Sequence, residues 1–494
     1  MANTEPIFKA TIGLEVHAQI ASQSKLFSGA PSDVFGAEPN ACVSFIDAAF
    51  PGMLPVVNLH CIQQGIRLGL GVKGKLRMTS IFERKHYFYP DLPQGYQISQ
   101  FKAPLVEGGG LMIQDAKGHP KYITLDRIHL EQDAGQSIHD KVPHHSCLNF
   151  NRAGIGLMEI VSNPDLTTPE EVVDYVKRLR SLMRYLGVCQ GNMEKGQLRV
   201  DANVSVHRPS DPLGTRVEIK NLNSISSLQK ALHYEIQRQI QRCSKGEPIF
   251  QETRSFDVQE GITRPLRTKE EADDYRYFPD PDLPSIVLSK TLIETIAKSL
   301  PELPQEKYQR FIEMFELSPY DAALLTEEQE TAFFFESTLS HLRTLETDPL
   351  LFKLTANWMT GEVFAMLKRT QQAIASCPVS SKDLASLIYH VYTKALSNSL
   401  AKDVFTTMWE TKESPEEIME RKNLRQVSDD SILRTWIRSV LEQETLQVQA
   451  YFSGKEKIFA YLVGQIMKIS KGKGNPSMIH TLLKEELEQM RSRQ

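Results

Sequence analysis

The sequence predicts an α+β protein: a mostly antiparallel, sheet-rich N-terminal domain, then an all-α helical domain and a small α-helical tail. Three observations carry this. Up to about residue 290, short segments alternate apolar and polar residues with a period of two between Gly- and Pro-rich turns. Only two long helical patterns interrupt them, too few for a regular βαβ series. After Pro301 the strand patterns fade and helix-like runs follow one another.

Taken in order, the first strand runs from Ile12 to Ile20. Its period sorts Ile12, Leu14, Val16, Ala18 and Ile20 onto one face and Glu15, His17 and Gln19 onto the other. Gly69 to Lys75 spells G-x-x-x-x-G-K, yet Leu76 stands where Ser or Thr would contact Mg²⁺. Ile62 to Leu70 also reads as helix where that motif needs a strand, so a turn with exposed lysines is expected. Arg84 to Tyr96 reads as a Pro- and Gly-bounded loop. Its Arg84, Lys85 and three tyrosines, Tyr87, Tyr89 and Tyr96, can stack a base and hold phosphates, or simply pack on the domain.

Ile128 to Asp133 repeats the first pattern and gathers His129, Glu131 and Asp133 opposite Ile128 and Leu130. A helix then opens with Thr168 as N-cap, Pro169 at N1 and Glu171 as capping-box partner. Val172, Val176, Leu179, Met183 and Leu186 form its buried stripe and Gly187 ends it. Arg199 to Val206 sets Asp201 and Asn203 opposite Val200, Ala202 and Val204, and Arg216 to Lys220 does the same for Glu218. The second helix covers about Ser226 to Cys243. Arg254, Arg264, Arg267, Arg276 and Tyr277, mixed with Glu270, Glu271, Asp273 and Asp274, form a basic stretch in which surface ion pairs are expected.

Helices are predicted through Tyr308 to Lys402. A charged stretch follows, Glu410 to Asp430, in which Ser414-Pro415-Glu416-Glu417 is a capping box. The tail has helical patterns at about Ser431 to Phe452 and Lys455 to Ile469, and a last helix opened by Asn475 and Pro476. Around its break, Lys468, Lys471 and Lys473 offer either a phosphate-backbone contact or solubilising charge.

Several polar strand faces in one sheet would pool their carboxylates. Two unit charges about 4 Å apart repel by roughly 4 kcal/mol at an effective dielectric near 20, so such a cluster needs cations. Oxygen ligands with one imidazole favour Mg²⁺ or Mn²⁺ over zinc. The bland alternative pairs the acids with Arg199, Arg216 and Lys220 on a solvated face.

The 494 residues allow two or three domains, and a formal charge of −4 leaves nucleic-acid contact to local patches. Six scattered cysteines without a C-x-x-C pair suit a reducing compartment. Met1 to Pro6 carries no signal core and no run is long enough to span a membrane, so a cytoplasmic protein with no membrane partner is expected. There is no G-x-S-x-G elbow and no Gly-Ser-rich amidase stretch, hence no evident means of releasing ammonia.

Ile12 to His17, Arg84 to Gln97, His129 to Gly135, Asn151 to Ile160, Leu198 to Val204, Tyr275 to Pro281 and the Val463 to Pro476 segment together resemble the GatB family. These are the B subunits of aspartyl/glutamyl-tRNA(Asn/Gln) amidotransferases. The resemblance implies a cradle domain similar to glutamine synthetase over 1–293, a helical domain over 294–405 and a tRNA-binding tail over 406–494. It implies ATP- and Mg²⁺-dependent phosphorylation of the side-chain carboxylate of Glu or Asp mischarged on tRNA, then amidation with ammonia. The ammonia would come from the amidase partner GatA, with GatC completing a heterotrimer. Glu15, His17, Glu131, Glu159, Asp201 and Glu218 match the family's metal-ligand positions, and Glu159 rests on the resemblance alone. Lys85, Tyr87 and Tyr89 are expected near the nucleotide or aminoacyl end. Many members carry a C-x-x-C before the Pro-Gly turn, where this chain reads Ser44-Phe45-Ile46-Asp47, so no zinc is expected. A ligase acting on a free amino acid and a non-catalytic tRNA-binding scaffold are the competing readings.

Overall fold

The computed structural model describes residues 8–268, 275–424, 430–470 and 474–492. The chain divides into two compact units, Met1–Pro304 and Gln305–Gln494. An α+β architecture results, with the sheets in the first unit and helices throughout the second.

The strands that matter for function are β1 (Lys9–Gln19), β2 (Glu83–His86), β3 (Tyr96–Ser99), β4 (Pro120–Gln132), β5 (Gly156–Ser162), β6 (Leu198–His207), β7 (Val217–Leu222), β8 (Glu252–Asp257) and β9 (Ile262–Thr268). The main sheet runs β9-β8-β7-β6-β1-β5-β4 and continues through the short strands Val106–Glu107 and Lys75–Leu76. Every neighbour along the seven named strands is antiparallel except the β7–β8 pair. The long alternating β1 sits in the middle of it.

The predicted apolar face is the core. Ile12, Leu14, Val16 and Ala18 are fully buried in one cluster with residues of two helices, α2 (Pro169–Tyr185) and α3 (Ile225–Ser244), and of α1 (Leu59–Gly71). Val172, Val176 and Leu179 of α2 each contribute about 1.5–3 kcal/mol over remaining exposed. Thr168 Oγ1 caps α2 by accepting from the Glu171 N–H at 3.2 Å. The predicted box is only half formed, because the Glu171 carboxylate turns to the Thr167 N–H (2.7 Å) and to Lys121 (2.8 Å) instead. Gly187 has φ +68, the left-handed stop its position requires. The G-x-x-x-x-G-K segment begins inside α1, passes through the turn after it and ends on the first residue of the short strand Lys75–Leu76, with a helix and no strand ahead of it to present a phosphate loop.

The Arg84–Tyr96 segment, predicted as a loop, instead begins and ends in a hairpin. β2 and β3 pair antiparallel and Phe278–Pro279 adds a third strand on β2. No apolar alternation marks Glu83-Arg84-Lys85-His86 because all four side chains are polar, and the one that is buried, Glu83, accepts from the Phe101 and Lys102 N–H groups. Arg84 is engaged within the protein there, bound to Asp280 and Asp282 at 2.8 Å each and lying over the Tyr96 ring. In the second basic stretch Arg264 forms the expected surface pairs with Asp257 and Glu260, whereas Arg254 is buried, pairing with Glu252 and donating to Thr263. Glu270, Glu271, Asp273 and Asp274 lie outside the described residues.

The second unit has two apolar clusters. One contains Phe311, Phe335, Trp358, Phe405 and Trp409. The other joins Leu433, Ile437, Leu462, Ile466, Ile479 and Leu483. The helix predicted across Ser431 to Phe452 is two, Asp430–Gln443 and Thr445–Phe452, broken at Glu444. The Ser414 capping box is complete: its Oγ accepts from the Glu417 N–H at 3.3 Å, and Glu417 accepts from the Ser414 N–H at 2.9 Å. Ser414→Ala is expected to cost about 1 kcal/mol, read as faster hydrogen exchange in Pro415–Arg421 with no change elsewhere.

Candidate metal centre

Antiparallel register builds the site. His17 on β1 lies opposite Glu159 on β5 and Arg199 on β6, and Glu159 lies opposite His129 on β4. Along the same face Glu15 is opposite Asp201, and Asn203 is opposite Glu218 on β7. Their chain neighbours Val16, Ile160, Val200 and Ile219 are in the core, so these polar groups share the other face.

His17 Nε2 is 3.4 Å from Glu159 Oε2 and 3.5 Å from Glu131 Oε1. His129 Nε2 is 3.2 Å from Glu159 Oε2 and 3.8 Å from Glu131 Oε2. Among the described residues, His17, Glu131 and Glu159 form a group whose donor atoms lie within 4.8 Å of one another. One imidazole nitrogen and two carboxylates in a mostly buried hollow suit a divalent cation such as Mg²⁺ or Mn²⁺.

The electrostatics show how crowded the acids are. Burial alone would lower the His129 pKa, but Glu159 and Glu131 push it up to about 9. His17 is raised for the same reason against the same burial penalty. Although burial opposes it, Glu159 is held well below the usual carboxylate range by His129 and His17. Glu15 is raised, first by burial and then by Glu159 and Glu218, with the Asn203 amide at 2.9 Å pulling the other way. Such a surplus of negative charge is what a bound cation relieves.

The six candidates therefore fall into subsets. His17, Glu131 and Glu159 converge, and Glu15 is within electrostatic reach of Glu159 and Glu218. Asp201 and Glu218 are instead bridged by Lys220, whose Nζ is 2.6 Å and 3.0 Å from them. Thr253 Oγ1 also donates to Glu218 at 2.7 Å. For these two acids the pairing with Lys220 that the sequence allowed is present. His129 is the residue that alternation put on the polar face without a role, and its contact with Glu159 supplies one.

An aromatic wall stands nearby. Lys85 Nζ is 4.7 Å from the Tyr275 ring centroid and 5.9 Å from that of Tyr87. Tyr87 donates to Gln97 Oε1 at 3.2 Å, and its ring meets that of Tyr89 at 5.9 Å. Burial, followed by Glu131 and Asp133, keeps the Tyr87 phenol protonated, and Tyr277 is raised by burial, Glu131 and Glu159. Tyr89 is exposed. Lys468 is exposed in the last turn of Lys457–Ile469, whereas Lys471 and Lys473 lie outside the described residues. Among the described residues no helix is long and apolar enough to cross a membrane.

Residues 10–294 match a family model described as the GatB/GatE catalytic domain, and residues 334–487 match one described as a GatB domain. The B subunit of the aspartyl/glutamyl-tRNA(Asn/Gln) amidotransferase of Rickettsia rickettsii (strain Sheila Smith) is 49% identical over 476 residues, covering 96% of this chain and 97% of the relative. Its counterpart from Rickettsia felis (strain ATCC VR-1525 / URRWXCal2) is 48% identical over 477 residues, 97% of each chain.

Proposed function

Because the chain belongs to the GatB family, the B subunits of tRNA-dependent amidotransferases, we propose that the polar face of its sheet carries the ATP-dependent step of amidation. A side-chain carboxylate oxygen of Glu or Asp mischarged on tRNA attacks the γ-phosphorus of ATP, and ADP leaves. Ammonia then attacks the acyl carbon, phosphate leaves, and the nitrogen gives up a proton to become the amide. The observation that supports this most is the convergence of His17, Glu131 and Glu159 on one point.

A divalent cation held there, Mg²⁺ or Mn²⁺, would offset charge on the transferred phosphoryl group. Glu131 and Glu159 offer it oxygens and His17 a nitrogen. His129 orients Glu159 from 3.2 Å, as partners behind a ligand commonly do. Asn203 orients Glu15, while Lys220 balances Asp201 and Glu218 in the absence of further cations. Lys85, Tyr87 and Tyr89 line the approach for nucleotide or aminoacyl end. Residues 1–293 form the catalytic cradle, 294–405 a helical connector, and 406–494 a tail that holds tRNA through Lys468, Lys471 and Lys473. The missing amidase motif makes the ammonia source a partner: GatA, braced by GatC, in a cytoplasmic heterotrimer.

The test is reconstitution. With ATP, glutamine and mischarged tRNA, this chain alone makes no amide, adding the amidase partner starts the reaction, and ammonium partly replaces glutamine. Separate incubations with Glu-tRNA(Gln) and Asp-tRNA(Asn) identify the substrate. Full glutamine-dependent activity from this chain by itself would refute the assignment.

A further inference from the structure

Arg199 starts on β6, in register with His17, and its guanidinium reaches Asp133, the residue that follows β4. It therefore lies over the face that carries the metal centre. Among the described residues only Nη2 is engaged, donating to Asp133 Oδ1 at 2.8 Å. Among the described residues no acceptor meets Nε or Nη1, and the side chain is 45% exposed. The same guanidinium is within electrostatic reach of Glu131 and Asp201.

Arg152 shows what a purely structural arginine looks like in this place. It holds the other Asp133 oxygen through Nε at 2.9 Å and Nη2 at 2.7 Å, donates to the Gly196 carbonyl at 3.2 Å and reaches Gln19 at 3.5 Å. Asp133 is thus already buried and neutralised by Arg152 from one side. Arg199 adds a second positive charge to one carboxylate and, among the described residues, leaves most of its donor fork without an acceptor. A planar fork with open N–H groups beside a metal-binding carboxylate cluster suits an oxyanion, above all a phosphoryl group.

We infer that Arg199 binds the phosphoryl group in transfer, with Asp133 as the post that aims it. The inference rests on the reading of this face as a phosphoryl-transfer site. The oxyanion can belong to the γ-phosphate of ATP or to the acyl phosphate made from it. Both present the same tetrahedral oxygens, and a guanidinium would offset charge on either.

The experiment uses the complex reconstituted with its partner subunits. Arg199→Met is expected to lower ammonium-supported amidation by about 10²–10³-fold, with Mn²⁺ affinity and thermal unfolding unchanged. ADP with aluminium fluoride, a stand-in for the group in flight, should bind about 10–100-fold more weakly to the variant, with ADP alone unaffected. A raised KM for ATP would place the contact on the γ-phosphate. A fall in kcat alone, with less hydroxylamine-trapped aminoacyl product, would place it on the acyl phosphate. Asp133→Asn should lose less than Arg199→Met, because the fork survives its post. Equal losses in the two variants, loss of Mn²⁺ binding in Arg199→Met, or wild-type affinity for the fluoride complex would overturn the inference. If the unmodified complex forms no ADP with mischarged tRNA, the phosphoryl-transfer reading itself fails, whatever Arg199 does.

Discussion

Glu131→Gln is expected to lower amide formation by the reconstituted complex about 10²–10³-fold while leaving the chain folded. Glu131 is 3% exposed and places its two oxygens near His17 and His129 at 3.5 and 3.8 Å. Ser99 Oγ donates to it at 3.4 Å. Glutamine keeps the volume and can still meet these neighbours, but it removes one negative charge from the hollow that also holds Glu159. Affinity for Mn²⁺ should fall at least about tenfold, the lower range for weakening a metal site. Thermal stability should fall modestly, because the contacts of Glu131 with His17 and His129 weaken when its charge is lost, while repulsion with Glu159 is relieved. Three measurements decide it: the rate, Mn²⁺ titration, and the unfolding temperature. Unfolding in place of inactivity would favour the structural scaffold, and an unchanged rate would remove Glu131 from the chemistry.

The second large effect lies away from the reactive face. Lys25 is fully buried, donating to Asp47 Oδ2 at 3.0 Å and to the Cys42 carbonyl at 2.7 Å. Asp47 Oδ2 also accepts from the Ser44 N–H at 2.9 Å, and Ser44 Oγ accepts from the Asp47 N–H at 3.1 Å. Burial depresses the lysine pKa and Asp47 restores part of it. Lys25→Met leaves a carboxylate buried without its cation, so a loss of about 3–5 kcal/mol is expected. Lys25→Met with Asp47→Leu should recover most of it, because two apolar side chains need no partner. Hydrogen exchange across β1 reads the loss directly, without assuming that the two units unfold together. A loss below about 1 kcal/mol in the single variant would mean that water reaches the Asp47 carboxylate. Ser44 and Asp47 are the ends of the segment before the Pro-Gly turn, at which no zinc is expected. Here they join Lys25 in an ion pair and a set of backbone hydrogen bonds.

Much of the site is legible before any coordinates. Strict alternation in Ile12–Ile20 separates Glu15 and His17 from the core, and the same rule places His129, Glu131, Asp201 and Glu218. It says nothing for Glu159, since Gly156-Leu157-Met158 is apolar at successive positions and buried on both faces; only the resemblance pointed to it. Lys25 reads as an ordinary exposed lysine, because no local pattern reports that Asp47 and a carbonyl will enclose it. The β2–β3 hairpin is missed because Glu83-Arg84-Lys85-His86 has no apolar residue to mark a strand, its buried Glu83 being satisfied by backbone N–H groups.

By itself the sequence determined the α+β class, the two-sidedness of the strands and the family. Each depends on periodicity or on motifs that a single chain displays. The tertiary structure alone decided which acids meet. Strand order and register bring Glu131 and Glu159 to His17, give Asp201 and Glu218 to Lys220, and lay Arg199 over the centre. Those distances arise between segments up to about two hundred residues apart, and a one-residue slip in pairing would turn every one of those side chains to the other face.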